Sequence, residues 1–185
     1  MSFWWAVILR LIKIKVSRIK RMGWKEMTSL TDTPLSREEI LAFVGDLFTA
    51  QMPFNKVLGL KVTRYEADAV EVRFAMKNDL LGNPVQKILH GGVTASVLDV
   101  VGGLAAIASV TDKFDGATVK TLAEKFGKMG TIDMRVDYLR PGRGEAFVAT
   151  ATIIRAGNKV AVTRMELHNE AGDHIAFGTG TYMVG

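Results

Sequence analysis

The chain has 185 residues and a mass of 20.3 kDa, with 48% apolar and 23% charged residues. That is the size and balance of one soluble domain with a core of its own, and it is short for two. The net charge of +5 sits at the start: residues 1–26 carry seven Lys or Arg against one acid, and the rest carries 17 basic and 18 acidic residues, so no nucleic-acid partner is expected of this near-neutral body.

Residues 3–14 (FWWAVILRLIKI) are apolar but broken by Arg10 and Lys13, too short for a span of about 20 residues. The charges follow the apolar run, opposite to a secretory signal, so the expected location is the cytoplasm. Two readings stand for this segment. Residues 1–30 form a basic, apolar extension outside the fold, or residues 1–26 lie as an amphipathic helix in weak contact with a membrane surface. The folded domain is expected over 31–185.

Ser36-Arg37-Glu38-Glu39 has the form of a capping box. It predicts a helix running to about Met52, with Ile40, Leu41, Val44, Leu47 and Phe48 on one stripe and Pro53 as its end. Residues 57–65 and 69–76 alternate as strands do, and 77–89, with Gly82-Asn83-Pro84, reads as a loop. Val93 to Val110 is apolar on nearly every side, which predicts a buried helix. Asp99 at its middle and the Gly102-Gly103 pair argue against a membrane span. A polar connection over 111–130 is expected to hold a short helix at 119–126. Strands follow over 131–140, 145–155, 159–168 and 174–184. Ile132, Met134, Val136 and Tyr138 alternate with Asp133, Arg135 and Asp137 on the first. Turns at Pro141-Gly142, Gly157-Asn158 and Gly172-Asp173 have hairpin spacing, so the four strands should be antiparallel. Helices do not alternate with single strands, which disfavours a parallel sheet. The order fits an α+β fold in which a curved antiparallel sheet wraps one long central helix.

Without cysteine, disulfides, thiolate catalysis and Cys-ligated metals are excluded. His90, His168 and His174 are the only histidines, and a metal site is not expected because all three would have to converge. His168 and His174 read as surface or edge residues. Asp99 is the only charge in the apolar helix. An ionised carboxylate in such a place costs several kcal/mol unless it is paired or solvated. It is either bonded structurally or poised as a base or nucleophile. His90-Gly91-Gly92 precedes the helix, where free backbone N–H groups can polarise a carbonyl and glycine lets a ligand come close. Gly91 and Asp99 are separated by about 12 Å of helix rise. A single carbonyl reaches both only if they come from two subunits, most simply in a two-fold dimer.

Leu89-His90-Gly91-Gly92, Asp99, Gly130-Thr131-Ile132-Asp133 and Tyr138-Leu139-Arg140-Pro141-Gly142 together resemble the hotdog-fold acyl-CoA thioesterases of the phenylacetate-pathway type, over residues 55–185. The resemblance implies a hotdog fold, dimers or tetramers, and hydrolysis of acyl-CoA to free coenzyme A and a carboxylic acid without a cofactor. It implies that the Gly91 N–H polarises the thioester carbonyl, with Gly92 beside it. Asp99 of the facing subunit acts on water or on the carbonyl, and Thr131 positions water or acyl group. Asn83, seven residues before His90, lies near the thioester, and His90 orients its loop. Arg140-Pro141-Gly142 receives the nucleotide end of coenzyme A, with Arg143, Arg155 and Lys159 as further cations around two turns. The acyl pocket is expected between the central helix, the 77–89 loop and the partner subunit. Two other activities share this fold: non-catalytic acyl-CoA binding, and hydration or dehydration by a His–acid pair.

Overall fold

The computed structural model describes residues 32–185; both readings of segment 1–30 fall outside the described residues. Helix α1 (Arg37–Asp46) opens on the expected capping box: the Ser36 hydroxyl accepts from Glu39 N–H, and the Glu39 carboxylate accepts from Ser36 N–H at 3.0 Å. Ile40, Phe43 and Val44 turn into the core. The helix then widens into a π-helical turn (Leu47–Gln51), and helix α2 (Pro53–Leu58) follows. Pro53 ends one helix and, having no N–H to satisfy, starts the next at its first position. The strand expected from residue 57 therefore begins only at β1 (Lys61–Tyr65), after Gly59 closes α2 with φ +73°.

Strand β2 (Val70–Ala75) precedes a 3-10 turn (Asn78–Leu80), and the segment expected to be a loop carries a short hairpin, β3 (Leu81–Asn83) with β4 (Ile88–Leu89). Helix α3 (Gly91–Ala108) is the long central element. A 3-10 turn (Thr111–Phe114) and helix α4 (Val119–Phe126), capped by Thr118, cross to strands β5 (Gly130–Tyr138), β6 (Ala146–Ala156), β7 (Val160–Asn169) and β8 (His174–Met183).

The main sheet is antiparallel in the order β1-β2-β6-β7-β8-β5. This corrects one expectation. The turns at 157–158 and 172–173 do join neighbouring strands, but Pro141-Gly142 is not a hairpin turn. It is a crossover from the β5 edge, under β4, to β6 in mid-sheet. Gly142 permits the crossing: its carbonyl accepts from Leu89 N–H at 2.9 Å, and a Cβ there would stand 2.8 Å from Leu89 Cβ.

Helix α3 lies across the sheet, with Val97, Leu98, Val101 and Leu104 inaccessible against Val72, Phe147, Ala149, Met165 and Leu167. Each such aliphatic side chain contributes about 1.5–3 kcal/mol of transfer free energy. The wrapping is one-sided. Gly91, Gly92, Ala95, Ser96, Asp99, Val100 and Gly103 remain half-buried or exposed, so a helix apolar all round is covered on one face only. The alternation in β5 is also reset. A bulge between Thr131 and Asp133 leaves Ile132 53% exposed and turns Thr131 as well as Met134 and Val136 toward the helix side.

Candidate active site

His90 is the N-cap of α3. Its Nδ1 accepts from Gly92 N–H at 2.9 Å, and its backbone carbonyl accepts from Val93 and Thr94. An accepting Nδ1 puts the proton of the neutral ring on Nε2. Gly92 N–H is therefore occupied by the cap rather than free for substrate. The Gly91 N–H has no acceptor among the described residues and stands at the positive end of the helix dipole. Its neighbour in space is Tyr138 on β5, whose hydroxyl donates to the Gly91 carbonyl at 2.9 Å and fixes the first turn to the sheet edge.

Asp99, two turns further along α3, is half-buried on the open face. The Thr131 hydroxyl donates to its Oδ1 at 2.8 Å. The buried Tyr182 donates to its main-chain carbonyl at 3.2 Å. Burial, reinforced by the Asp99 charge, pushes the Tyr182 phenol well above its ordinary value, so it stays a neutral donor. Gly102 makes room for it: a Cβ there would collide with the Tyr182 hydroxyl and stand 2.9 Å from Thr163 Oγ1.

A cavity of about 590 Å³ opens beside Asp99 and Thr131, within the range of small-ligand sites. Its floor is α3, through Gly103, Ala106 and Ile107, and the end of β8, through Tyr182, with Val184 just beyond it. Its outer wall is the α1–α2 segment, through Val44, Leu47, Phe48, Met52 and Phe54, with Phe126 and Met129 at one side. The wall is held by Asn55, a buried polar residue whose amide donates to the Phe48 carbonyl at 3.0 Å. The 77–89 loop, expected to line the pocket, does not reach it within the chain.

Of the residues singled out by sequence, three pairs are bonded directly: Thr131 to Asp99, Gly92 to His90, and Arg143 N–H to the Pro141 carbonyl. Gly91 and Asp99 remain about 12 Å apart along the helix. Asn83 turns its side-chain oxygen to its own loop, accepting from Val85 and Gln86 N–H at 3.1 and 3.0 Å. Arg140 donates to the His174 carbonyl and Arg143 to the Gln86 carbonyl, both beside the β5–β6 crossover that carries Pro141 and Gly142. Arg155 and Lys159 stand at the opposite end of β6, about 30 Å away by strand rise, so the four cations do not form one cluster within the chain. Tyr138, Tyr182 and the α1–α2 wall had no assigned role; Tyr182 alternates inward on β8, and the Gly102-Gly103 pair is its seat.

A sheet curled around one long helix, with a free amide at the helix start and a carboxylate on its open face, defines a hotdog-fold protein equipped to act on a carbonyl. The family model described as Thioesterase superfamily matches residues 86–176. The chain is 50% identical over 151 residues to the medium/long-chain acyl-CoA thioesterase YigI of Escherichia coli, covering 82% of this chain and 97% of that one. It is 32% identical over 162 residues to human acyl-coenzyme A thioesterase 13, covering 86% and 99%. The crystal structure of a Shewanella oneidensis protein related to the thioesterase superfamily superposes with a TM-score of 0.77 at 58% identity, over 80% of this chain and 97% of that one. The chain belongs to the thioesterase superfamily.

Proposed function

We propose that the protein hydrolyses fatty acyl-CoA thioesters at two equivalent sites of a homodimer, each built from Gly91 of one protomer and Asp99 of the other. One observation carries this reading. Both half-sites lie along the free edge strand β5: Thr131 at its start touches Asp99, and Tyr138 at its end touches Gly91. Antiparallel pairing of two β5 strands about a two-fold axis near Met134 and Arg135 sets Thr131 of each chain opposite Tyr138 of the other. That brings the free amide of one helix to the carboxylate of its mate. Ile132, Tyr138 and Leu139, all about half exposed on this edge, support such a contact.

In this arrangement the thioester carbonyl oxygen accepts from Gly91 N–H. The partner's Asp99, held through Oδ1 by Thr131, takes a proton from water through its other oxygen. The water oxygen bonds to the carbonyl carbon and the negative charge collects on the oxygen at the amide. Collapse breaks the C–S bond, and the thiolate leaves and takes up a proton. The acyl chain runs from Asp99 over Gly103 into the apolar cavity, which supports medium to long aliphatic chains, as the name of the Escherichia coli relative suggests. Arg140 and Arg143, beside the Gly91 end of β5, supply cations for the phosphates of coenzyme A.

The test is free-thiol release from a panel of acyl-CoA chain lengths, run beside Asp99→Asn with the oligomeric state measured by light scattering. The expected result is a preference for the longer chains, a dimer or larger even-numbered assembly, and a fall in kcat of at least about 10²-fold in the variant. Full activity in Asp99→Asn, or an active monomer, rejects the reading.

A further inference from the structure

Sequence spacing leaves His168 and His174 as unconnected edge residues, but the sheet makes them neighbours. They face each other across β7 and β8, with ring centroids 4.5 Å apart and planes within 14° of parallel. Glu166, two residues before His168, projects from the same face of β7, the face turned away from α3. One ligand atom from each of the three lies within 4.8 Å of the others, and all three residues are half-buried. The His174 Nε2 is buried and has no hydrogen-bond partner, which makes it a group in need of one. Neither neighbouring guanidinium fills that need: Arg140 donates to the His174 main-chain carbonyl at 3.0 Å instead. The Arg164 guanidinium lies 3.8 Å above the Phe177 ring, with Nε 4.0 Å from Glu166, beyond hydrogen-bond range.

We propose that Glu166, His168 and His174 bind one divalent metal ion of borderline softness, best met by zinc. Two imidazoles and one carboxylate are a ligand set such ions take with a fourth position open to water. Ligand atoms about 2 Å from a common ion are less than about 4 Å apart, so loading draws the three side chains together by about 1 Å. Lying on the sheet face opposite Asp99, the ion staples β7 to β8 and takes no part in hydrolysis. This assignment does not depend on the proposed activity.

The experiment uses tag-free full-length protein, stripped with chelator and titrated with Co²⁺ and Zn²⁺, read by cobalt visible absorption, calorimetry and thermal melting. The expected result is one ion per chain with Kd of about 10 µM or below, a melting temperature that rises with zinc, and at least about tenfold weaker binding in each of His168→Gln and His174→Gln. Glutamine keeps size and polarity, so metal-free melting matching the parent assigns the loss to ligation. A parent that binds no ion below about 100 µM, or unchanged binding in both variants, overturns the proposal whatever their stability.

Discussion

Thr131 and Tyr138 mark the two ends of one edge strand, and each is bonded to a different end of the same helix segment: Thr131 to Asp99 and Tyr138 to Gly91. Within one chain the pair holds the free amide and the carboxylate apart. Across the proposed two-fold axis it is the element that would join them.

Complementation tests this directly. Gly91→Pro removes the amide donor at a position where proline suits a helix, the first, and the preceding His90 is already extended at ψ 133°. Its kcat should fall by about 10²–10³-fold. Mixing it with Asp99→Asn through denaturation and refolding should restore about a quarter of parental activity, because half the dimers are mixed and each mixed dimer has one complete site. Sites built within a single chain would recover nothing in the same thiol-release assay.

Acyl-chain selection should respond to Gly103. A Cβ there meets only the Tyr182 ring, at an ordinary 3.7 Å, while a longer side chain projects into the cavity one turn beyond Asp99. Gly103→Leu is expected to cut kcat/KM for the longest acyl-CoAs by about tenfold or more and to leave the shortest nearly unchanged, a filled pocket being worth about 1–3 kcal/mol. An equal loss for every length would move the chain elsewhere.

Gly102 tests the packing beneath the carboxylate. Gly102→Ala forces its methyl group into the Tyr182 hydroxyl and Thr163, an overpacking that costs about 1–3 kcal/mol in a urea melt. Tyr182→Phe removes the colliding oxygen. The double variant should therefore lose less than the two single losses added together, a coupling of about 1 kcal/mol.

Acid sensitivity should centre partly on Glu170. The backbone N–H groups of Glu145, Glu170 itself and Ala146 hold its carboxyl below the usual range, with the Glu145 and Ala146 donors at 3.0 and 3.2 Å at the entry to β6. A depressed folded-state value means the unfolded chain binds its proton first. The stabilisation is complete above the unfolded value of about 4.3 and is lost as pH falls through the lower folded value. Melting temperatures taken from pH 7 to 3 should drop more steeply on the acid side for the parent than for Glu170→Gln.

Local signals made much of this fold legible. The Ser36–Glu39 box, the nearly all-apolar 18 residues of α3 and the alternation in β6 to β8 are each written in one short stretch of sequence. What escaped was non-local or fine-grained. β5 pairs with β8 rather than β6 because the crossover under β4 depends on Gly142 meeting Leu89, about fifty residues away in sequence. The bulge between Thr131 and Asp133 resets the alternation at the start of β5, so Ile132 is out and Thr131 meets Asp99, while Met134 and Val136 still pack on the core. The cavity wall arises from a π-helical turn that no periodicity announces. Asp99 and Gly91 stood out by chemistry and Thr131 only through the resemblance, whereas Tyr182 looked like one more aromatic in a strand and the two outlying histidines met only through sheet register.

The rigid rise of α3 also works as a gauge. Gly91 and Asp99 are spaced by just over two turns, and each added residue rotates the remainder of the helix by about 100°. A single insertion between them would swing the carboxylate off the open face and away from Thr131, spoiling both halves of a symmetric assembly at once. In the proposed assembly the length of this stretch is thus fixed, and the β6–β7 turn is no freer: Gly157 and Asn158 accept from Lys113 Nζ, and the Lys159 carbonyl accepts from Val184 N–H at 2.8 Å.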